Sequence, residues 1–256
     1  MAVRVSSINS GSNGNCYYIE NDKDAVLIDV GISCTEIEKR LLRSGLSIQK
    51  VRAVFISHEH IDHIRGVEVI SKRHRLPVYI TEKTFAKGKI RLEQELVNSF
   101  CDEEVIPIGT LKVIPFLKFH DAIDPYSFSV VSDKIRIGVF TDIGIVCEKL
   151  KSHFSQCNAA FLETNYDEEM LRNGNYPMYL KRRICSDQGH LSNAQALELF
   201  LEHKSDFLSH LFLTHLSKEN NSSELVESLF TTNAGLTKMI VASRYEESAV
   251  YTIGGE

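Results

Sequence analysis

The chain has no C-x-x-C pair; its six cysteines (Cys16, Cys34, Cys101, Cys147, Cys157, Cys185) are scattered. In 256 residues that spacing argues against a disulfide framework and a structural zinc knuckle, and reads as free, mostly buried thiols. No apolar run approaches the roughly 18 to 20 residues of a membrane span. The opening MAVRVSSINSGSNGNCYYIE lacks the basic stretch and apolar core of a secretion signal, so a cytoplasmic protein is expected. Positive charge is not in excess, with 29 Lys and Arg against 34 Asp and Glu. That argues against binding nucleic acid by bulk charge, though not against a local basic patch. There is no Pro- or Gly-rich linker, low-complexity tract or short repeat. No G-x-G-x-x-G or G-K-[ST] loop follows a strand, so the usual nucleotide folds lack their motif.

What remains is an ordinary folding composition, 43% hydrophobic and 25% charged, long enough for a full core. Strand-like runs at 3–8, 16–20 and 25–29 are separated by turn formers and predict an antiparallel meander. Ser33 and Glu36 predict a helix start, with Gly45 as its stop, and Val51 to Ser57 reads as a buried strand. Further strands are predicted at 78–81, 113–119, 127–131, 135–140, 159–163, 211–214, 239–242 and 249–253. Helices fit 145–154, 179–185, 193–202 and 223–231. Strands precede helices in both halves, which predicts one α/β domain over residues 1–256, with two sheets facing each other under outer helices.

The chemistry concentrates in Ile56-Ser-His58-Glu-His60-Ile-Asp62-His63, directly after the apolar strand. Imidazole and carboxylate suit zinc and related divalent ions. Spacing at i and i+2 lets His58 and His60 point the same way, while Asp62 and His63 aim at a second position. A solvated histidine-rich turn accounts poorly for four ligand-type residues crowded at a strand end. Glu59 points the other way, toward solvent or a salt bridge.

H-x-H-x-D-H after a buried strand, with Leu27-Ile-Asp29-Val-Gly31 upstream, resembles the metallo-β-lactamase superfamily. Phe119-His120-Asp121, Thr141-Asp142-Ile-Gly144 and Leu213-Thr-His215-Leu-Ser217 resemble its later metal motifs, so the likeness runs over nearly the whole chain. The resemblance implies an αββα four-layer sandwich, α/β in class, with two facing mixed sheets. It also implies two divalent metal ions, zinc or manganese, with iron an alternative. One would be held by His58, His60, His120 and Asp142, the other by Asp62, His63, Asp142 and His215, with a shared water or hydroxide. Among its branches, Gly189-His190-Leu-Ser-Asn resembles the extra histidine motif of tRNase Z enzymes. The interval from Asp142 to His215 is too short for the inserted β-CASP domain of the ribonuclease J relatives. The segments at 10–16, 181–184, 187–190 and 215–221 are most similar to the compact YycJ (WalJ) family, with proposed DNA exonuclease activity; Tyr166 departs from it, where relatives commonly carry histidine.

The implied function is a binuclear metal-dependent phosphodiesterase, an exonuclease on nucleic acid with DNA favoured over RNA, in which the hydroxide attacks phosphorus. Asp62 would orient that hydroxide, and His190 would protonate the departing oxygen or merely open a helix. Asp29 either closes a turn or holds a ligand histidine's other nitrogen. Lys181, Arg182 and Arg183 are a solvated face or a phosphate contact, and Asn13 and Asn15 shape a turn or touch substrate. The alternatives are a hydrolase of a small lactone, thioester or cyclic phosphodiester, and a non-catalytic metal-binding regulator.

Overall fold

The computed structural model describes residues 2–254. Its strands are β1 (Val3–Asn9), β2 (Cys16–Glu20), β3 (Ala25–Ile28), β4 (Val51–Phe55), β5 (Val78–Tyr79), β6 (Val97–Asn98), β7 (Ile106–Ile108), β8 (Leu111–Leu117), β9 (Tyr126–Ser132), β10 (Ile135–Phe140), β11 (Ala159–Glu163), β12 (His210–Thr214), β13 (Lys238–Val241) and β14 (Tyr251–Ile253). They form two seven-stranded sheets, ordered β14-β1-β2-β3-β4-β5-β6 and β13-β12-β11-β10-β9-β8-β7.

The two sheets share one plan. In the first, β14, β1, β2 and β3 pair antiparallel, and β3 to β6 then pair parallel. In the second, β7 to β10 pair antiparallel and β10 to β13 parallel. Parallel neighbours need crossovers, and helices supply them. These are α1 (Cys34–Arg43), α2 (Ile61–Ile64), α3 (Val67–His74), α4 (Glu82–Gly88), α5 (Glu148–Phe154), α6 (Glu168–Asn173), α7 (Met178–Ile184), α8 (Asn193–His203) and α9 (Ser223–Thr231). One core lies between the sheets, where Tyr17, Phe55, Phe128, Phe161 and Phe212 meet. A second packs α1 and α3 on the first sheet, and a third packs α5, α8 and α9 on the other. The order of layers is therefore αββα.

Local signals set many of the boundaries. The Ser33 hydroxyl accepts from the Glu36 N–H at the start of α1, and Ser192 with Gln195 forms a reciprocal capping box on α8. The predicted helix at 145 starts instead at Glu148. Ile143 N–H donates to Glu163 and Gly144 N–H to the Phe119 carbonyl, so the backbone there is tied to loops and cannot wind. The expected strand to Phe119 stops at Leu117. The loosely patterned stretch after His60 holds α2, α3 and α4, each too short to show a clear period.

Candidate metal centre

The site lies at the carboxyl ends of strands from both sheets. Asp29 follows β3, His58 follows β4, Asp142 follows β10, Glu163 ends β11 and His215 follows β12. Asp29, Asp142 and His215 have left-handed backbones, with φ of 58°, 54° and 56°. Such a conformation costs a non-glycine residue on the order of 1 kcal/mol or more. It turns each chain sharply as it leaves its strand and throws the side chain across the end of the sandwich.

The donors converge. His58 Nε2 lies 3.1 Å from His60 Nδ1, and the His58 and His120 rings stand 4.9 Å apart. Asp142 Oδ2 is 3.2 Å from His63 Nε2, and Asp142 Oδ1 is 3.5 Å from His215 Nε2. Asp62 Oδ2 stands 3.6 Å from His63 Nε2 and 3.7 Å from His215 Nε2. Ligands on a tetrahedral zinc, bound at about 2.0 to 2.1 Å, stand roughly 3.3 Å apart, so these spacings fit.

Four of these imidazoles are fixed from behind. His63 Nδ1–H donates to Asp29 Oδ2 at 2.7 Å. The Ser57 hydroxyl donates to the same carboxylate and meets His58 Nδ1 at 2.9 Å. His120 Nδ1–H donates to the Gly189 carbonyl at 3.0 Å, and His215 Nδ1 lies 3.1 Å from Glu163 Oε1. Holding Nδ1 in each case turns Nε2 inward as the atom that would face an ion, the usual arrangement behind a metal-ligating histidine.

Three atoms show what these residues fit. His120 Nε2, His215 Nε2 and Asp142 Oδ2 are buried without a hydrogen-bond partner. Buried polar atoms are rarely left so, and a divalent cation would satisfy all three. Charge points the same way: Asp29, Asp62, Asp142 and Glu163 face a single buried lysine, Lys118. Burial lowers the pKa of His58 and holds His120 at about 3, keeping both neutral as ligation requires. For His215, burial also pushes down, but Asp142, Asp62 and Glu163 outweigh it and hold the pKa at about 10. Asp29, Asp142 and Asp62 likewise raise His63 despite its burial. The protons on these two histidines answer a surplus of negative charge that a bound cation would neutralise.

The motif segment is held in place through glycine. A Cβ on Gly31 would overlap the Asp62 carbonyl and crowd the Asn15 N–H. Its absence lets Asn15 N–H donate to the Asp62 carbonyl at 2.7 Å and Gly31 N–H to the Asn15 carbonyl at 2.8 Å. On the far side Gly144 lets the Asp142 loop approach Asp187 and Gln188, and Gly189 sits against the Arg183 and Ile184 carbonyls at the end of α7.

The substrate-contact expectations fare differently. Asn15 is fully buried, with its amide 3.1 Å from His63 Nε2 and 3.3 Å from Asp62 Oδ2. Its side chain is turned inward onto the metal motif. Asn13 is exposed, but its amide donates to the Arg244 carbonyl at 2.6 Å. The basic run on α7 divides: Arg183 pairs with Asp121, and Lys181 donates to the Arg172 carbonyl at 2.7 Å. Arg182 has no ion-pair partner among the described residues and lines a cavity of about 430 Å³ with Tyr166 and Met178.

Glu163 and Lys118 escaped the sequence reading. Glu163, fully buried, accepts from His190 Nδ1 at 2.7 Å as well as serving His215. Burial raises its pKa, yet His190 and His215 hold it at about 2. An acid closing the apolar run AAFLE was the available signal. Lys118 donates to the Thr141 carbonyl at 2.7 Å, beside the turn that presents Asp142. Glu59 accepts from the Ile123 N–H at 3.0 Å and pins the loop after His120.

Residues 10–115 match the metallo-β-lactamase superfamily. The exodeoxyribonuclease YycJ of Bacillus anthracis is 36% identical over 230 residues, 88% of this chain and 86% of that protein. The chain belongs to the YycJ (WalJ) family of this superfamily. The exodeoxyribonuclease WalJ of Streptococcus pneumoniae is 33% identical over 232 residues, with the same coverage. Among solved structures, the metallo-β-lactamase fold protein YhfI of Bacillus subtilis superposes with a TM-score of 0.76 at 14% identity, covering 98% of this chain and 99% of that one. The His and Asp clusters suit the divalent metals that the superfamily uses. No helix among the described residues is long and apolar enough to cross a membrane.

Proposed function

We propose that this chain is a cytoplasmic, single-domain, metal-dependent phosphodiesterase that shortens DNA from an end, as the names of its YycJ and WalJ relatives suggest. The observation that carries the reading is His190, set at the edge of the donor cluster with its Nδ1 on the buried Glu163 carboxylate. Two ions, zinc or manganese, would be held by His58, His60, His120 and Asp142, and by Asp62, His63, Asp142 and His215. When bound, such ions supply Lewis acidity toward phosphoryl oxygens and an activated water.

The protein groups have separate tasks. Asp62 is mostly buried between His63 and His215 but keeps an exposed edge, where a carboxylate can orient the attacking water. His190 keeps its Nε2 for the departing sugar oxygen, while the Glu163 carboxylate behind it holds Nδ1 and fixes the ring's orientation. Its ring stacks on His215 at 5.3 Å and stands edge-on to His120 at 5.1 Å, which fixes its place over the cluster. Arg182, which has no ion-pair partner among the described residues, would contact phosphates outside the reacting centre.

The test is protein loaded separately with zinc or manganese, acting on end-labelled single- and double-stranded DNA and RNA, beside an Asp62→Ala control. Progressive shortening that vanishes in the control is expected, with DNA cut faster than RNA. Hydrolysis of bis(p-nitrophenyl) phosphate with all polymers intact would instead move the assignment to a small substrate.

A further inference from the structure

A cavity of about 340 Å³ opens beside His215, its wall including Ser10, Ser217, Lys218, Ser222 and Arg244. Its wall adjoins the His215 turn. The Ser10 hydroxyl accepts from the His215 N–H at 2.8 Å, and Leu216 and Ser217 continue the chain from His215 into the wall. Arg244 is anchored by the loop that also carries Asn15. Its Nη2 donates to the Ser12 hydroxyl at 3.0 Å, and its carbonyl accepts from Asn13.

The third guanidinium nitrogen is uncommitted: Arg244 Nη1 is buried and has no hydrogen-bond partner. Such a buried donor wants an acceptor, and a charged one best. Lys218 adds a second cation, whose nearest acid, Glu219, is 3.7 Å away in solvent and weakly held. Helix α9 opens on the same wall, with the Ser222 hydroxyl accepting from the Leu225 N–H. Glu224, exposed, is the wall's one carboxylate.

We propose that this cavity is a subsite for a phosphate monoester, the terminal phosphate of the strand being shortened. The proposal rests on the nuclease reading and names which end feature the enzyme recognises. A terminal phosphate carries close to two charges near neutral pH and three acceptor oxygens, against one charge and two free oxygens on an internal diester. The cavity's two cations and hydroxyl groups match the former. Because its wall continues directly from His215, a phosphate held there would bring a strand end toward the metal centre.

The test compares otherwise identical oligonucleotides with phosphate or hydroxyl at each end. With metal-loaded protein, phosphate at one end is expected to raise kcat/KM roughly tenfold or more. Arg244→Gln and Lys218→Gln should each shrink that ratio toward one, chiefly through KM; Lys218 makes no contact that holds a loop, so its variant is read free of folding effects. Binding is measured in parallel in Asp62→Ala protein with labelled strands, and with inorganic phosphate as competitor. Preference for phosphorylated ends that is lost in both variants supports the subsite, whether or not polymers are cut. Equal binding of both ends, or a preference unchanged in the variants, overturns it even if the nuclease reading stands. Competition by inorganic phosphate without any end preference would show a free-phosphate site and also overturn it.

Discussion

The carboxylate of Glu163, at the end of β11, lies 2.7 Å from Nδ1 of His190, in the segment between α7 and α8. Oε2 of the same group accepts from the backbone N–H groups of Ile143 and Leu191, at 2.8 and 3.1 Å. One buried acid thus links the Asp142 loop, the His190 loop and His215.

Replacing it should therefore act on chemistry more than on folding. Glu163→Gln is expected to lower kcat by about 10- to 100-fold, with a smaller change in KM. His190→Ala should do likewise, and the double variant should lose far less than the product of the two. A double-mutant cycle on strand cleavage measures this; full additivity would mean that the two act separately.

Asp29 orients His63 and, through Ser57, His58. Asp29→Asn keeps the volume but weakens both links. Metal affinity is expected to fall about 10- to 100-fold, read by competition against a chromophoric chelator. Unchanged affinity would reduce Asp29 to a turn residue.

Gly31→Ala tests the close approach of the motif loop. A methyl group there meets the Asp62 carbonyl, so either β3 or the loop must shift. Lower bound metal and a reduced Tm are expected together, because the same contact places Asp62 and joins β3 to α2. A normal metal content with only a lower Tm would confine the effect to packing.

Far from the site, Asp24 clamps the turn between β2 and β3 to the β7–β8 hairpin. It accepts from the Thr110 N–H and hydroxyl at 2.8 Å each and pairs with Arg52 at 2.9 Å. Burial opposes its ionisation, but these partners hold its pKa below the usual value. A depressed carboxylate stabilises the fold above its unfolded pKa, and that contribution is lost as pH falls through the folded value. Asp24→Asn should cost about 1 to 3 kcal/mol at neutral pH. In urea unfolding at falling pH, the gap to wild type should narrow below about pH 3.9. A gap independent of pH would mean that the charge contributes nothing.

The sequence by itself determined the local elements with strong periods or caps: the opening meander, the α8 capping box and the buried strands. It also carried the metal motif, because His58, His60, Asp62 and His63 lie within six residues and their chemistry is legible without a fold. Only the tertiary structure decided what stands behind and around that motif. Asp29 and His63, or Glu163 and His215, are far apart in sequence and meet only because the parallel strands of both sheets end at one edge. The same convergence separated Asn15, drawn inside to the metal motif, from Asn13, left outside holding Arg244. It also divided the α7 cations, since Arg183 is neutralised by Asp121 while Arg182 is not. Residue type names a possible ligand or phosphate contact, but burial and partner geometry decide which atoms remain free to act.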